Sequence, residues 1–170
     1  MLVDAKLMIN GKEVKTQIEI DEADLKAMQD KKETGYERVR ETGKYCYVGG
    51  DGLVYFPHEK KTSIDDLRYN TANYYSSYDI AERNARADQL MRQLRRFAVE
   101  NRKEKIDWND EIKHKYNLYY SYPSQKIDID FGYNCRYFEI YFDSYETAER
   151  AIKEFKDELT WYFTEYEDSL

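Results

Sequence analysis

The sequence predicts an α+β fold in which antiparallel sheets pack against helices. Three observations predict it: short segments in which apolar and polar residues alternate, longer segments with apolar residues at helical spacing, and an internal similarity between two parts of the chain. The 170 residues are enough to bury a core without disulfides or metals, and an aromatic content of 16% is too high for a chain that stays unfolded in water. We therefore expect an ordered protein.

The first expected element is an N-terminal β-hairpin over residues 6–20, because apolar residues recur on both sides of Asn10-Gly11. An Asn-Gly pair supplies the positive φ angles that a two-residue hairpin loop requires. Asp21 and Glu22 then begin a short helical segment that continues through Met28. We assign residues 1–35 to this N-terminal hairpin and short helix.

The rest of the chain is predicted to contain a β-β-β-α unit twice, over residues 36–106 and 107–170. Residues 75–83 (YSSYDIAER) align with residues 142–150 (FDSYETAER) and share Ser, Tyr, Ala, Glu and Arg at matching positions. Both units are expected to follow the order strand, turn, strand, loop, strand, helix, which favours an internal duplication. A chance match is the alternative.

The strands of the two units are predicted from turns and alternation. Gly-rich residues 49–52 and residues 122–125 (YPSQ) indicate the two hairpin turns. Apolar and charged residues alternate over 126–131, and a further strand is expected over 137–142. One face of each sheet is expected to pack on a helix while the other faces water, as antiparallel sheets allow.

Both long helices are predicted to begin with a capping residue followed three positions later by an acid. Ser76 precedes Asp79 in the first helix, and Asp143 precedes Glu146 in the second. The apolar stripes are Ile80, Ala87, Leu90, Met91, Leu94, Phe97 and Ala98 in the first helix, and Ala148, Ile152, Phe155, Leu159, Tyr162 and Phe163 in the second. These stripes are expected to form the core.

Charge is distributed unevenly along a chain whose formal net charge is −7. Residues 80–105 contain eight bases and four acids, whereas residues 143–170 contain nine acids and three bases. The candidate cations for nucleic acid or a partner are Arg92, Arg95, Arg96, Arg102 and Lys103. The candidate acids for a partner-binding face are Asp143, Glu146, Glu149, Glu154, Asp157 and Glu158. A solvated surface of mixed charge is the alternative for both sets.

The sequence contains little that indicates catalysis. With two histidines and two cysteines, it offers no convincing nucleophile–base pair or metal-ligand cluster, so we expect no enzyme activity, metal or cofactor. Cys46 and Cys135 are expected to be reduced and partly buried in strands. Asp128 and Asp130 share a strand face as magnesium ligands could, but alternating acids on an exposed strand are the more ordinary explanation. Trp108 is expected to anchor the linker between the units.

Two further features concern location and binding. No apolar run approaches the roughly 20 residues of a membrane span, and residues 1–15 contain no apolar signal core, so a cytoplasmic protein with no membrane contact is expected. The 18 tyrosines exceed what a core of this size needs. Surface tyrosines favour protein contact or base stacking, and an AT-rich genome is the alternative explanation.

Several motifs together resemble those of a known family. They are residues 43–47 (GKYCY), Arg68-Tyr69, residues 73–75 (NYY), Ala81-Glu82, residues 94–98 (LRRFA), Trp108 and residues 142–152 (FDSYETAERAI). Over residues 43–167 the chain resembles small proteins encoded by phages and prophages of Firmicutes, some of which are anti-CRISPR proteins that act on type II-A systems. The N-terminal hairpin lies outside this pattern.

The resemblance implies a phage-encoded, non-enzymatic inhibitor that binds a defence protein in the cytoplasm of the infected bacterium. The implied partner is a Cas nuclease with its guide RNA, and no catalytic residues are implied. The alternative hypothesis is an accessory phage protein that binds DNA or RNA through the basic helix 80–105 and surface tyrosines. A small enzyme or structural module is a third hypothesis, and a homodimer stays open.

Overall fold

The structure is a computed structural model that describes residues 2–9, 12–19, 33–136 and 139–166. The chain forms two compact units, Met1–Thr34 and Gly35–Leu170. Among the helices described, none combines the length and the apolar character that crossing a bilayer requires.

The N-terminal unit contains an antiparallel hairpin of β1 (Leu2–Ile9) and β2 (Lys12–Glu19). Ile9 pairs with Lys12, so two residues connect the strands. This confirms the predicted hairpin, although its first strand begins earlier than the alternation indicated. The Asn10-Gly11 pair itself and the helical segment expected from Asp21 lie outside the described residues.

The second unit begins with a short antiparallel pair, β3 (Tyr47–Val48) and β4 (Val54–Tyr55). The predicted turn over residues 49–52 is confirmed. Gly52 adopts a φ of +85°, a left-handed conformation that favours glycine, and its N–H donates to the Gly49 carbonyl at 2.9 Å. The turn is closed further by Asp51, which accepts hydrogen bonds from the Leu53 amide and the Tyr55 hydroxyl.

A helix, α1 (Ser63–Asn70), follows β4, where the predicted order of the first unit has only a loop and a strand. Thr62 caps it, and Asp65 completes a reciprocal capping box with the Thr62 backbone. The predicted order of elements is therefore wrong at this point. What is left of the third strand is a single bridge, in which the backbone of Tyr75 exchanges two hydrogen bonds with Cys46.

The long helix α2 (Tyr78–Asn101) has Ser77 as its N-cap, so the predicted cap at Ser76 is wrong by one residue. The Ser76 hydroxyl instead donates to Glu37 at 2.9 Å. All seven residues of the predicted apolar stripe are buried or half-buried. Near its start α2 packs on β3 and β4 through Ala81, and farther along, its residues Leu90, Leu94, Phe97 and Ala98 join the main core.

The second hairpin, β5 (Lys115–Ser121) and β6 (Lys126–Gly132), is antiparallel and confirms the turn over residues 122–125. Ile127 and Ile129 are half-buried against the core, whereas Lys126, Asp128 and Asp130 are exposed, as the alternation predicted. Phe131, expected on the buried side, is 48% exposed.

The strand expected over 137–142 is only partly within the described residues, which exclude 137 and 138. Residues 139–142 form no strand, and Phe142 alone bridges Tyr116 through two backbone hydrogen bonds. A short β bridge therefore takes the place of a strand.

The single C-terminal helix predicted from the apolar stripe is divided into α3 (Tyr145–Glu154), α4 (Lys156–Trp161) and a π-helical segment (Tyr162–Tyr166). Phe155, with φ −106° and ψ 22°, ends α3 and begins α4. The N-cap of α3 is Ser144, whose hydroxyl accepts from the Thr147 amide, so the predicted cap at Asp143 is also wrong.

The α+β class is confirmed, and several positions correspond between the two predicted units. Both helices follow a strand bridge, and Ala81 and Ala148, which align in sequence, are each fully buried. However, the first predicted unit contains a helix, α1, before its strand bridge. Among the described residues of the second predicted unit, no helix lies before the bridge. Since α2 also shares a core with α3 and β5, the duplication and the division at residue 106 stay predictions.

Candidate nucleic-acid interface

The predicted cations lie on the exposed side of α2 and just beyond its end. Arg92, Arg95 and Arg96 are exposed, and their spacing of three and four residues places them on one helix face. Arg102 is the C-cap, with φ −69° and ψ 141°, so the chain leaves the helix there. Lys103 follows in the exposed segment. All five cations are therefore accessible to an anion.

A cavity of about 400 Å³ lies beside the C-terminal part of α2, and two of these cations, Arg95 and Arg102, line it. We call it the basic groove; it is lined by Arg95, Ala98, Val99, Arg102, Lys105, Ile106, Trp108, Arg136, Glu139, Ile140 and Tyr141. Four of its lining residues are cationic, and Glu139 is the single acid among them. The groove is thus a positively charged depression on a protein whose net charge is negative.

Two of the four groove cations already have partners. Arg95 forms an ion pair with Glu139, with a nitrogen–oxygen distance of 2.7 Å, and both side chains are about half exposed. Arg136 donates to the Glu139 carbonyl at 3.2 Å. Within the described residues, Arg102 and Lys105 form no ion pair, so both could neutralise a bound phosphate at no cost in an existing contact.

Trp108 forms one wall of the basic groove. Its ring meets Tyr141 edge to face at a centroid distance of 4.8 Å, and Tyr141 is buried. The Arg136 guanidinium lies 5.8 Å from the indole centroid, within cation–π range. Trp108 therefore packs the segment after α2 against the residues before α3, and its half-buried indole also contributes to a binding surface.

The other predicted cations lie outside the groove lining. A Cβ on Gly52 would lie 3.6 Å from the Arg92 guanidinium, so Arg92 extends towards the β3–β4 turn. Arg96 and Lys103 are exposed. Sequence reasoning missed Lys105 and Arg136 as site residues; Lys105 lay within the basic segment, but nothing near Arg136 in the sequence linked it to α2.

The predicted acidic face is interrupted. Glu158 binds Arg86 through both oxygens, at 2.8 and 3.1 Å, and this hydrogen bonding lowers the pKa of the Glu158 carboxyl. Asp143 accepts from the Lys103 backbone amide at 2.6 Å. The remaining acids, Glu146, Glu149, Glu154 and Asp157, are exposed, but so are the nearby bases Arg150, Lys153 and Lys156. The surface of α3 and α4 is therefore mixed in charge.

Little in the described residues resembles a catalytic centre. They contain no group of three or more His, Cys, Asp and Glu residues placed to hold a metal ion. Asp128 and Asp130 are exposed on β6. Both cysteines are free thiols; Cys46 is buried, but Cys135 is exposed in the loop after β6, so its predicted partial burial is wrong. Burial raises the pKa of the Cys46 thiol.

Comparison of the chain with protein-family models, curated proteins and solved structures finds no match. The resemblance to phage proteins therefore stays a hypothesis, and functional proposals depend on the residues and their geometry.

Proposed function

We propose that the protein is a non-enzymatic binding protein whose basic groove binds the phosphate backbone of a nucleic acid. The observation that supports this most is the collection of Arg95, Arg102, Lys105 and Arg136 around one cavity beside Trp108. Guanidinium groups bind phosphate oxygens through paired hydrogen bonds, and an adjacent indole offers a surface for a base.

The net charge of −7 does not oppose this proposal at ordinary ionic strength. The Debye length is about 8 Å at physiological salt, so exposed acids farther than that from the groove are largely screened. A phosphate in the groove is influenced by the lining cations, by Glu139, and by Glu104 and Asp107, which flank lining residues in the sequence. We expect modest affinity that falls steeply with added salt.

The test is fluorescence anisotropy with a labelled oligonucleotide of about 12 nucleotides, titrated between about 50 and 200 mM salt. Removing the two unpaired groove cations with Arg102→Ala and Lys105→Ala should weaken binding about tenfold at the low end. The slope of log affinity against log salt should fall in magnitude by about 1.4, since each phosphate contact to a single strand contributes about 0.7.

The matched control is the double variant Arg40→Ala and Lys126→Ala. It removes one exposed arginine and one exposed lysine, neither of which lines the groove. It should change affinity and slope by much less than the groove variant. Equal losses in the two double variants, or no binding by the unaltered protein at about 50 mM salt, would refute the proposal.

A second candidate function is inhibition of a guide-loaded, RNA-guided Cas nuclease. The exposed acids Glu146 and Glu149 on α3 support it, because they could compete for the positively charged channel in which such a nuclease holds nucleic acid. Co-purification with the guide-loaded nuclease, with and without digestion of DNA, tests it. Retention after digestion that is lost in Glu146→Lys, Glu149→Lys supports this candidate, and loss of the unaltered protein on digestion refutes it.

A further inference from the structure

A cluster of aromatic rings lies at one end of the β5–β6 sheet. We call it the aromatic platform; its members are His114, Tyr116, Phe131, Tyr133 and Tyr145. The His114 ring lies 4.3 Å from Phe131 and 4.9 Å from Tyr133, measured between centroids. Phe131, Tyr133 and Tyr145 are 48%, 43% and 49% exposed, so three large rings present about half of their surface to solvent.

The platform is held in place from several directions. His114 Nε2 lies 3.0 Å from the Tyr133 hydroxyl, and Nδ1 lies 3.3 Å from the Tyr116 hydroxyl. Tyr116 pairs with Phe131 across the hairpin and is half-buried against the core. Rings that are fixed before a ligand arrives lose little conformational freedom on binding, so such a surface is well suited to stacking.

The platform is connected to the basic groove. Lys105 and Ile106 line the groove and also line a second cavity, of about 230 Å³, which reaches His114. Tyr133 of the platform and Arg136 of the groove lie three residues apart in the same segment after β6. A ligand that follows this surface meets aromatic rings and then cations.

The cavity between them has a different character. Its acids are Glu104, Asp107, Asp110 and Asp143, and its bases are Lys105, Lys113 and Lys115, with His114 at one side. A phosphate gains little in such a mixed environment. The N–H groups of a base, by contrast, can donate to carboxylate oxygens.

We infer that the ligand of this surface is a single-stranded nucleic acid, with phosphates in the basic groove and unpaired bases stacked on the aromatic platform. The inference depends on the proposed function and specifies its substrate class. In a duplex the bases are stacked on each other and cannot reach the rings, whereas single-strand binding proteins combine a basic path with aromatic stacking. DNA and RNA single strands share this chemistry.

The experiment compares single-stranded DNA, single-stranded RNA and duplex DNA of equal length, about 12 nucleotides, by fluorescence anisotropy. We expect the unaltered protein to bind either single strand at least about tenfold more tightly than the duplex. Phe131→Leu combined with Tyr133→Leu keeps apolar bulk but removes two stacking rings. It should lower single-strand affinity about 10- to 100-fold and leave the salt slope unchanged, because no cation is removed.

Two further variants control for folding and for nonspecific loss of tyrosine. Tyr122→Leu removes a tyrosine that is 67% exposed at the opposite end of the same hairpin, and it should leave affinity within about twofold. Tyr133→Phe removes the hydrogen bond to His114 but keeps the ring, so it should also bind within about twofold. Urea midpoints measured on each variant identify any that is destabilised.

The outcomes separate the two proposals. Absence of binding to all three nucleic acids refutes the proposed function itself. Binding that depends on Arg102 and Lys105 but is as tight for duplex as for single strands, and is unaffected by the platform double variant, leaves the proposed function standing and overturns this inference. In that case the exposed rings of the aromatic platform are more simply explained as a surface that binds another protein.

Discussion

The carboxylate of Glu59 lies at the centre of a buried polar network, and its replacement by glutamine tests whether that network stabilises the fold. Glu59 is 1% exposed. Its Oε2 accepts from Arg38 Nε and from the Tyr74 hydroxyl, each at 2.9 Å. Its Oε1 accepts from Arg38 Nη2 at 3.1 Å and from the Lys61 amide at 2.7 Å. Both oxygens therefore accept two hydrogen bonds, and at either position an amide N–H₂ group would face an Arg38 N–H, which cannot accept.

The expected loss follows from these contacts. Whichever way the glutamine is oriented, its N–H₂ faces one Arg38 nitrogen, so that bond is lost, and the remaining bond to Arg38 no longer joins two charges. The Lys61 amide cannot accept from the N–H₂, whereas the Tyr74 hydroxyl can rotate to do so. A bond to a charged group contributes about 1.5–3 kcal/mol and a neutral one about 1 kcal/mol. Arg38 is one-third exposed and keeps its ion pair with Asp66 at 2.7 Å, so water and that pair recover part of the loss. Glu59→Gln should lower the free energy of unfolding by about 2–3 kcal/mol.

Urea denaturation followed by tryptophan fluorescence measures this change. Both tryptophans, Trp108 and Trp161, lie in Gly35–Leu170, so the signal reports the unit that contains Glu59. With a slope of about 2 kcal/mol per molar urea, the midpoint should fall by about 1–1.5 M. Glu41→Gln is the matched control, because Glu41 pairs with Lys61 at 3.0 Å but is 60% exposed, and it should cost less than about 0.5 kcal/mol. Equal midpoints for the two variants would refute the reasoning.

Three other predictions follow from burial and titration. A hydrogen bond from Arg38 holds the pKa of Glu59 below its ordinary range, and one from Tyr45 does the same for Asp65. These two carboxylates therefore stabilise the fold above about pH 4, and their contribution is lost as the pH falls further. Urea midpoints should therefore fall between pH 7 and 3, and a fall of the same size in Glu59→Gln would contradict a role for Glu59. Ala148→Val should cost about 1–3 kcal/mol by overpacking a site with 0% exposure, and an unchanged urea midpoint would show spare room there. Mass spectrometry should find Cys135 alkylated well before the buried Cys46, and equal rates would contradict the burial of Cys46.

Local patterns were sufficient to predict the hairpins and the long helix. The alternation of Ile127 and Ile129 with charged neighbours places them correctly against the core, because a strand turns successive side chains to opposite faces. The stripe from Ile80 to Ala98 likewise identifies the buried side of α2. In these elements the residues that determine the structure are neighbours in sequence.

The helix α1 was missed because its apolar residues do not form a buried stripe. Ile64 and Leu67 are 57% and 62% exposed, and the buried residue of this helix is Asp65. The readable signal was the capping pair, Thr62 followed three residues later by Asp65. Periodicity alone therefore fails for a helix that is fixed by polar contacts.

The helix caps were misplaced by one residue for a tertiary reason. Each helix is preceded by two adjacent residues that can cap, Ser76-Ser77 and Asp143-Ser144. In both cases the first side chain contacts a distant group: Ser76 donates to Glu37, and one carboxylate oxygen of Asp143 accepts from the Lys103 amide. The N-cap is the second residue in both helices, although only the Ser144 hydroxyl accepts from a helix amide, and no local rule distinguishes the two residues.

The basic groove shows why a list of cations differs from a binding site. Arg95 is neutralised by Glu139, so a phosphate that binds Arg95 exchanges one ion pair for another and gains little. Arg102 and Lys105 form no ion pair among the described residues, so a phosphate that binds them breaks no existing pair. An acid in place of Arg95 would repel Glu139 and alter the groove wall. A loss of affinity in such a variant could not be assigned to the missing phosphate contact alone. Removing Arg102 and Lys105 breaks no ion pair within the described part of the chain, so the change in affinity reports their attraction for phosphate. The double variant Arg102→Ala, Lys105→Ala is therefore the sharper test of nucleic-acid binding.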